Sequence, residues 1–159
     1  MEKVEAFPNA LIELELIQCH NLRKIEGLCG LAKLRDLRIK GCKVEELPSI
    51  ETLVSLDQLY LRECVKLKNI QGLEQLTKIR ILYVNDCSEL KEFPGFEQLR
   101  SLEELQAFGC VKLKSIRGLA QLTKLRACSS FYQPQQEHPS ETHQRSSIFG
   151  ISYNNVEAN

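Results

Sequence analysis

Cysteine is the residue type in this chain with the widest chemical reach, because a thiol can attack a substrate, bind a metal or form a disulfide. The sequence holds seven cysteines and three histidines in 159 residues. Five of the cysteines are spaced 23, 22, 23 and 23 residues apart; they are Cys19, Cys42, Cys64, Cys87 and Cys110. This regular spacing predicts a structural role, in which the five thiols are buried as small hydrophobic side chains.

The spacing disfavours a metal site and a thiol hydrolase. The sequence has no C-x-x-C pair and no histidine at a ligand spacing, so we expect no metal. A hydrolase would need a cysteine and a histidine together in a cleft, but His20 follows a repeated cysteine and His138 and His143 lie far along the chain. Disulfides between neighbouring repeats stay open, because adjacent strands ~4.8 Å apart permit them. Cys29 lies outside the regular spacing. It either only fills space in a return segment or is an exposed reactive thiol.

Each of the five cysteines ends a copy of the pattern L-x-x-L-x-L-x-x-C, in which isoleucine, valine or alanine replaces leucine at four positions. The copies cover residues 11–19, 34–42, 56–64, 79–87 and 102–110. A fixed period of this length is typical of a leucine-rich repeat array, in which every copy adds one strand to a solenoid. The leucines of each copy face the core, and the residues between them alternate outward.

The segments between the copies carry apolar residues at every third position, as in Leu28, Leu31 and Leu34. A spacing of three suits 3₁₀ turns better than a long α-helix. We therefore expect an α/β leucine-rich repeat solenoid, a short horseshoe arc with a parallel concave sheet. Its convex returns should be mostly irregular or 3₁₀.

The repeat pattern divides the chain into three segments. Residues 1–10 look like the remnant of a preceding repeat, because V-x-x-F-P at 4–8 matches L-x-x-F-P at 90–94. Residues 11–126 form the array of five repeats. Residues 127–159 are rich in Gln, Ser, Asn and His and have no hydrophobic period, so we expect a disordered polar tail.

The composition argues against several classes of function. The 21 basic and 21 acidic side chains give a net charge of zero, so we expect no nucleic-acid partner and no anionic membrane. No apolar run approaches the ~20 residues of a membrane span, and the N-terminus lacks the apolar stretch of a secretory signal. These features favour the cytoplasm or the nucleus. Because no catalytic constellation and no phosphate-binding loop occurs, we expect no enzyme activity, cofactor or small-molecule substrate.

The outward-facing strand positions are the candidate binding site. Parallel stacking would place Tyr60 beside Tyr83, and tyrosine and arginine commonly anchor protein interfaces. The alternative is that these are scattered surface aromatics without a role. The predicted partner-binding residues of the concave face are Glu15, Arg38, Lys40, Tyr60, Arg62, Ile81, Tyr83, Asn85, Gln106 and Phe108.

The repeat pattern, followed by L-x-x-I-x-G-L or L-x-x-F-P, resembles one group of plant proteins over residues 4–126. These are the intracellular nucleotide-binding leucine-rich repeat disease resistance proteins, especially those with a TIR domain. The resemblance implies a protein-binding module of plant defence and innate immunity. Its partner would be a pathogen effector, a host protein or a receptor's nucleotide-binding domain, the last through autoinhibitory contacts. A truncated, decoy or adaptor protein without signalling activity, or a leucine-rich repeat scaffold outside immunity, stays open as an alternative.

Overall fold

Short strands and 3₁₀ helices make up the regular structure of the chain. The computed structural model describes residues 3–4, 7–114, 116–129 and 153–154. The strands in these residues are β1 (Lys3–Val4), β2 (Glu13–Ile17), β3 (Lys24–Ile25), β4 (Asp36–Lys40), β5 (Gln58–Arg62), β6 (Ile81–Asn85), β7 (Glu104–Gln106), β8 (Ala127–Ser129) and β9 (Tyr153–Asn154). The 3₁₀ helices are Leu73–Gln75, Phe96–Gln98 and Leu119–Gln121.

One sheet runs through the whole array. Its strand order is β2-β4-β5-β6-β7-β8-β9, and the pairs from β2 to β8 are parallel, whereas β9 is antiparallel to β8. The register places equivalent repeat positions opposite each other, for example Leu37 opposite Leu59 and Leu59 opposite Leu82. Strand β1 pairs with β3 in a separate parallel ribbon. The predicted solenoid with a parallel sheet is confirmed.

The core is a continuous stack of the repeated leucines. Inward residues of the central strands, such as Leu59 and Leu82, are completely buried. At the first strand the burial is incomplete: Leu11, Leu16 and Cys19 are only partly covered. Strand β2 is the first strand of the sheet, so these side chains lack the packing that a neighbouring repeat gives to their equivalents.

The convex returns contain 3₁₀ helices, as the spacing of three predicted. Each of the three helices begins after a glycine in the left-handed region, with φ of 82°, 65° and 86° at Gly72, Gly95 and Gly118. A Cβ on Gly95 would lie 2.3 Å from Cβ of Glu74 in the preceding repeat. Glycine therefore permits both the turn and the close stacking of successive returns. In the described part of the chain, no helix is long and apolar enough to cross a membrane.

The sheet extends beyond the predicted end of the array. Strand β8 lies at residues 127–129, which the sequence assigned to the tail, and it pairs with β7. Cys128 occupies the inward position opposite Leu105 and is buried, because a cysteine is apolar and small enough to fill a leucine position there. The sheet therefore continues three residues past the predicted end of the array at residue 126. Apart from β9, the remainder of the predicted tail lies outside the described residues.

Candidate functional site

The concave face is the side of the sheet that carries the outward-pointing side chains. Parallel register places equivalent residues side by side, so these side chains form three rows across the strands. The first row is Glu13, Asp36, Gln58, Ile81 and Glu104, the second is Glu15, Arg38, Tyr60, Tyr83 and Gln106, and the third is Ile17, Lys40, Arg62 and Asn85. Acidic side chains are concentrated in the first row and basic side chains in the third.

Two tyrosines form the centre of this face. The rings of Tyr60 and Tyr83 meet edge to face, with 5.2 Å between their centroids and an interplanar angle of 89°, which is a favourable arrangement for aromatic pairs. The Tyr60 hydroxyl donates a hydrogen bond to Oε1 of Gln58 at 2.8 Å. The Tyr83 hydroxyl donates one to the carboxylate of Glu104. Residues of the first row therefore hold both rings in place.

The two phenols stay neutral well above physiological pH. The hydrogen bond to Glu104, together with burial, raises the pKa of Tyr83 to about 12. Burial raises the pKa of Tyr60 as well. Both hydroxyls therefore remain donors, and neither adds a negative charge to the face.

Arg38 is fixed by contacts on several sides. Its guanidinium carbon lies 5.0 Å from the centroid of the Tyr60 ring, within the range of a cation–π contact. Its Nε and Nη2 atoms donate to the Asp36 carboxylate at 3.0 and 2.6 Å, and Nη1 donates to Glu15 at 3.1 Å. Its positive charge is thus balanced within the chain.

Arg62 has a different environment from Arg38. Its guanidinium carbon lies 5.9 Å from the centroid of Tyr60 and 5.4 Å from that of Tyr83. Its Nε atom is buried and has no hydrogen-bond acceptor. The neighbouring cation of the same row, Lys40, forms an ion pair with Glu63 at 3.3 Å.

A shallow depression of about 260 Å³ lies beside the tyrosines on the concave face. Its lining includes Glu15, Arg38, Lys40, Tyr60 and Arg62, all of which were predicted to bind a partner. The depression is open to solvent rather than enclosed, so it suits a protruding group of a macromolecule better than a sequestered small molecule.

The structure brings most of the predicted residues together on one surface, but neighbouring residues cover Asn85 there. Only 9% of Asn85 is exposed. Its Nδ2 atom donates to Oε1 of Gln106, and its Oδ1 atom accepts from the main-chain N–H of Phe108, both at 3.1 Å. Strand β7 ends at Gln106. The main-chain N–H of Phe108 lies beyond the strand, and the side chain of Asn85 supplies its hydrogen-bond acceptor. Asn85 is thus a positioning residue, whereas Phe108, 40% exposed, remains at the surface.

Four residues of the first row were missing from the predicted set, although strand alternation places them on the same face: Glu13, Asp36, Gln58 and Glu104. Asp36, Gln58 and Glu104 accept the hydrogen bonds that orient Arg38, Tyr60 and Tyr83. The alternating pattern was the signal that could have found them.

The five repeated cysteines form a ladder of thiols behind the sheet. Cys42, Cys64, Cys87 and Cys110 are buried, and burial raises the pKa of Cys42 and of Cys110 to about 11. Cys19 is only partly buried, so the expectation of full burial was wrong for the first rung, where the array is open. All seven cysteines are free thiols, and Cys29 is exposed. No group of three or more metal-ligating side chains occurs in the part of the chain that the structure describes.

Comparisons with known proteins agree with the repeat pattern. The family model described as leucine-rich repeat region matches residues 3–148. Among solved structures, the leucine-rich repeat domain of the type III effector XopL is similar, with 26% sequence identity and a TM-score of 0.46. The match covers 74% of this chain and 54% of that one, so this chain spans about half the length of the solved structure. The comparison with curated proteins found no match.

Proposed function

Because this chain belongs to the leucine-rich repeat family, we propose that it is a protein-binding module that holds its partner on the concave face. Repeat arrays of this kind present an extended surface built from many equivalent side chains. The observation that carries the proposal is the cluster of Arg38, Tyr60, Arg62 and Tyr83, in which each arginine lies over at least one tyrosine ring. Tyrosine and arginine are enriched among the residues that dominate binding energy at protein interfaces.

The cluster is already ordered before a partner arrives. The hydroxyls of Tyr60 and Tyr83 are held by Gln58 and Glu104, and the Arg38 guanidinium is held by Asp36. Immobilising a flexible side chain costs about 0.5–1.5 kcal/mol on association. A partner would meet side chains that have already lost most of this freedom, which favours tight binding.

We further propose that the module works in the cytoplasm or the nucleus of a plant cell, as part of innate immunity. The support is the repeat pattern itself, with cysteine at the end of each copy and I-x-G-L or F-P in the returns. Free thiols at all seven cysteines suit a reducing compartment. The partner would then be a pathogen effector, a host protein or the nucleotide-binding domain of a receptor, and the module would need neither catalysis nor a cofactor.

A pull-down from plant cells, followed by affinity measurements on each identified protein, tests the proposal. The full chain serves as bait, and each captured protein is produced in recombinant form for calorimetry. We expect Tyr60→Ala with Tyr83→Ala to weaken binding by about a thousandfold, because hot-spot side chains contribute about 2 kcal/mol each and every ~1.4 kcal/mol is a factor of ten.

The matched control truncates two exposed apolar side chains that lie outside the strands of the sheet. Val54 and Val111 are 51% and 60% exposed and lie outside the strands, so Val54→Ala with Val111→Ala should leave affinity unchanged. Melting temperatures of all variants show whether the array stays folded. If the tyrosine variant binds normally while Lys68→Glu, in a return segment, abolishes binding, the partner uses the convex side and the proposal is wrong.

A further inference from the structure

We propose that Arg62 is the receptor for a single carboxylate, supplied by an aspartate or glutamate side chain of the protein partner. This inference rests on the proposed function, since it names the chemistry that the concave face recognises. It assigns to Arg62 the role of specificity residue, whereas Tyr60 and Tyr83 supply contact area.

The first ground is that the charge of Arg62 has no counterion among the residues that the structure describes. Three other cations on or next to the sheet are paired: Arg38 with Asp36 and Glu15, Arg80 with Asp57, and Lys40 with Glu63. No ion pair joins Arg62 to any residue that the structure describes, and its buried Nε has no acceptor. A carboxylate of a binding partner beside the terminal Nη atoms would supply the missing counterion.

The second ground is the shape of the space around the guanidinium. The Tyr60 and Tyr83 rings lie 5.9 and 5.4 Å from its central carbon and shield it from water on those sides. Arg62 also lines the shallow depression of the concave face. A guanidinium presents its donors in a planar fork that matches a carboxylate in a bidentate manner. Partial shielding from water strengthens such a pair.

The third ground is the negative charge of the first row, which favours an isolated acid over a polyanion. The first row carries Glu13, Asp36 and Glu104, and these carboxylates would repel a nucleic acid or a strongly acidic tract. A protein segment with one acid over Arg62 and neutral or basic groups toward Glu13 meets both rows favourably. The complementary occupant is therefore a mixed-charge protein segment with one acidic anchor.

Selection of peptides on the full chain provides the probe. A displayed library of random 12-residue peptides is selected on the wild-type chain, and the strongest binder that requires Tyr60 and Tyr83 is synthesised. We expect an aspartate or glutamate to be enriched at one position. Changing that residue to its amide, or Arg62 to Gln, should each weaken binding about ten- to hundredfold. The two changes together should weaken it no further, because both remove the same contact.

Controls separate this contact from general effects. Arg80→Gln removes an arginine that is already bound by Asp57 and lies outside the three rows, so peptide affinity should not change. Should Arg62→Gln lower the melting temperature, Arg62→Lys serves instead; it keeps the charge, loses the fork, and should give an intermediate affinity. A peptide with phosphoserine at the anchor position should bind no better than the carboxylate form.

Several outcomes overturn the inference. If tyrosine-dependent peptides carry no enriched acid, or if the losses from Arg62→Gln and from the amide peptide add, then Arg62 does not hold a carboxylate while the proposed function stands. Binding that needs phosphoserine reassigns the anchor to a phosphate. If no selected peptide depends on Tyr60 and Tyr83, the concave face itself is the wrong site and the proposed function fails with the inference.

Discussion

The Sγ atom of Cys87 lies 3.5 Å from the carbonyl oxygen of Leu61, a residue 26 positions earlier on the preceding strand. The same contact recurs one repeat away in both directions: the thiol of Cys64 reaches the carbonyl of Ile39 at 3.6 Å, and that of Cys110 reaches Val84 at 2.8 Å. Four of the five ladder thiols, from Cys42 to Cys110, thus donate to a carbonyl of the strand before them, whereas Cys19 donates to Ile17 of its own strand. A small side chain with a weak donor fits this place, where the chain turns away from the sheet.

Substitutions at Cys64 should separate burial from charge. We expect Cys64→Ala to lower the free energy of unfolding by about 1–2 kcal/mol, because it removes a small buried group and one weak hydrogen bond. Cys64→Asp should cost about 3–5 kcal/mol, because it buries a carboxylate without a partner. Urea denaturation measures both values. Similar costs for the two variants would contradict the burial of this position.

The residue before each ladder cysteine adopts a left-handed backbone conformation. The φ angles are 54°, 64°, 55°, 58° and 66° at Gln18, Gly41, Glu63, Asp86 and Gly109. Only two of the five positions are glycine, although a side chain in this region costs roughly 1–2 kcal/mol. The turn after the strand therefore imposes the conformation on whichever residue stands there.

Gly109 should be more sensitive to substitution than Gly30, which also has a positive φ but has free space around it. A Cβ on Gly109 would lie 2.2 Å from Oδ1 of Asp86, whereas one on Gly30, where φ is 93°, would meet nothing within 4 Å. We expect Gly30→Ala to cost about 1–2 kcal/mol from strain alone and Gly109→Ala about 2–3 kcal/mol, because overlap adds to strain. Chemical denaturation of both variants checks the difference. Equal costs would show that Asp86 moves aside freely.

The sequence predicted the repeating part of the molecule well and its irregular part poorly. The leucine and cysteine positions follow from a fixed period, because every repeat must present the same groups to the core. The left-handed conformation of the residue before each ladder cysteine could not be predicted, since Gln18, Glu63 and Asp86 give no common sequence signal. The burial of Asn85 was also missed: simple alternation assumes strands of equal length, but β7 is three residues long and β6 five. Cys19 is partly exposed because it follows β2, the first strand of the sheet.

The contact between Tyr83 and Glu104 should make stability depend on alkaline pH. The pKa of Tyr83 is raised in the folded state to about 12 by the Glu104 hydrogen bond and burial, compared with about 10 in an unfolded chain. The folded state therefore favours the protonated phenol, and this stabilisation is complete below pH 10 and is lost as the pH rises from 10 to 12. Urea denaturation at pH 9 and pH 11 should show the loss, and Glu104→Gln should reduce it.

Spectrophotometric titration gives an independent check on the same contact. Absorbance at 295 nm reports ionised tyrosine, and the folded wild-type chain should hold more un-ionised phenol at pH 11 than Glu104→Gln does, since the amide removes the charged acceptor. Circular dichroism must confirm that both proteins are still folded at that pH. Identical titration curves would mean that Glu104 does not control the Tyr83 phenol.

The Tyr60–Tyr83 contact should already stabilise the chain before any partner binds. Their rings are 5.2 Å apart and edge to face, and such pairs are worth about 0.5–1.5 kcal/mol beyond simple burial. A double-mutant cycle with Tyr60→Leu, Tyr83→Leu and the double variant should therefore yield a coupling energy in that range. Leucine keeps an apolar side chain at each position, and neither residue belongs to the core, so all three variants should remain folded. A coupling energy near zero would mean that the two rings move independently in solution. The concave cluster would then have to be ordered by the partner, and tyrosine substitutions would weaken binding through entropy as well as through lost contact.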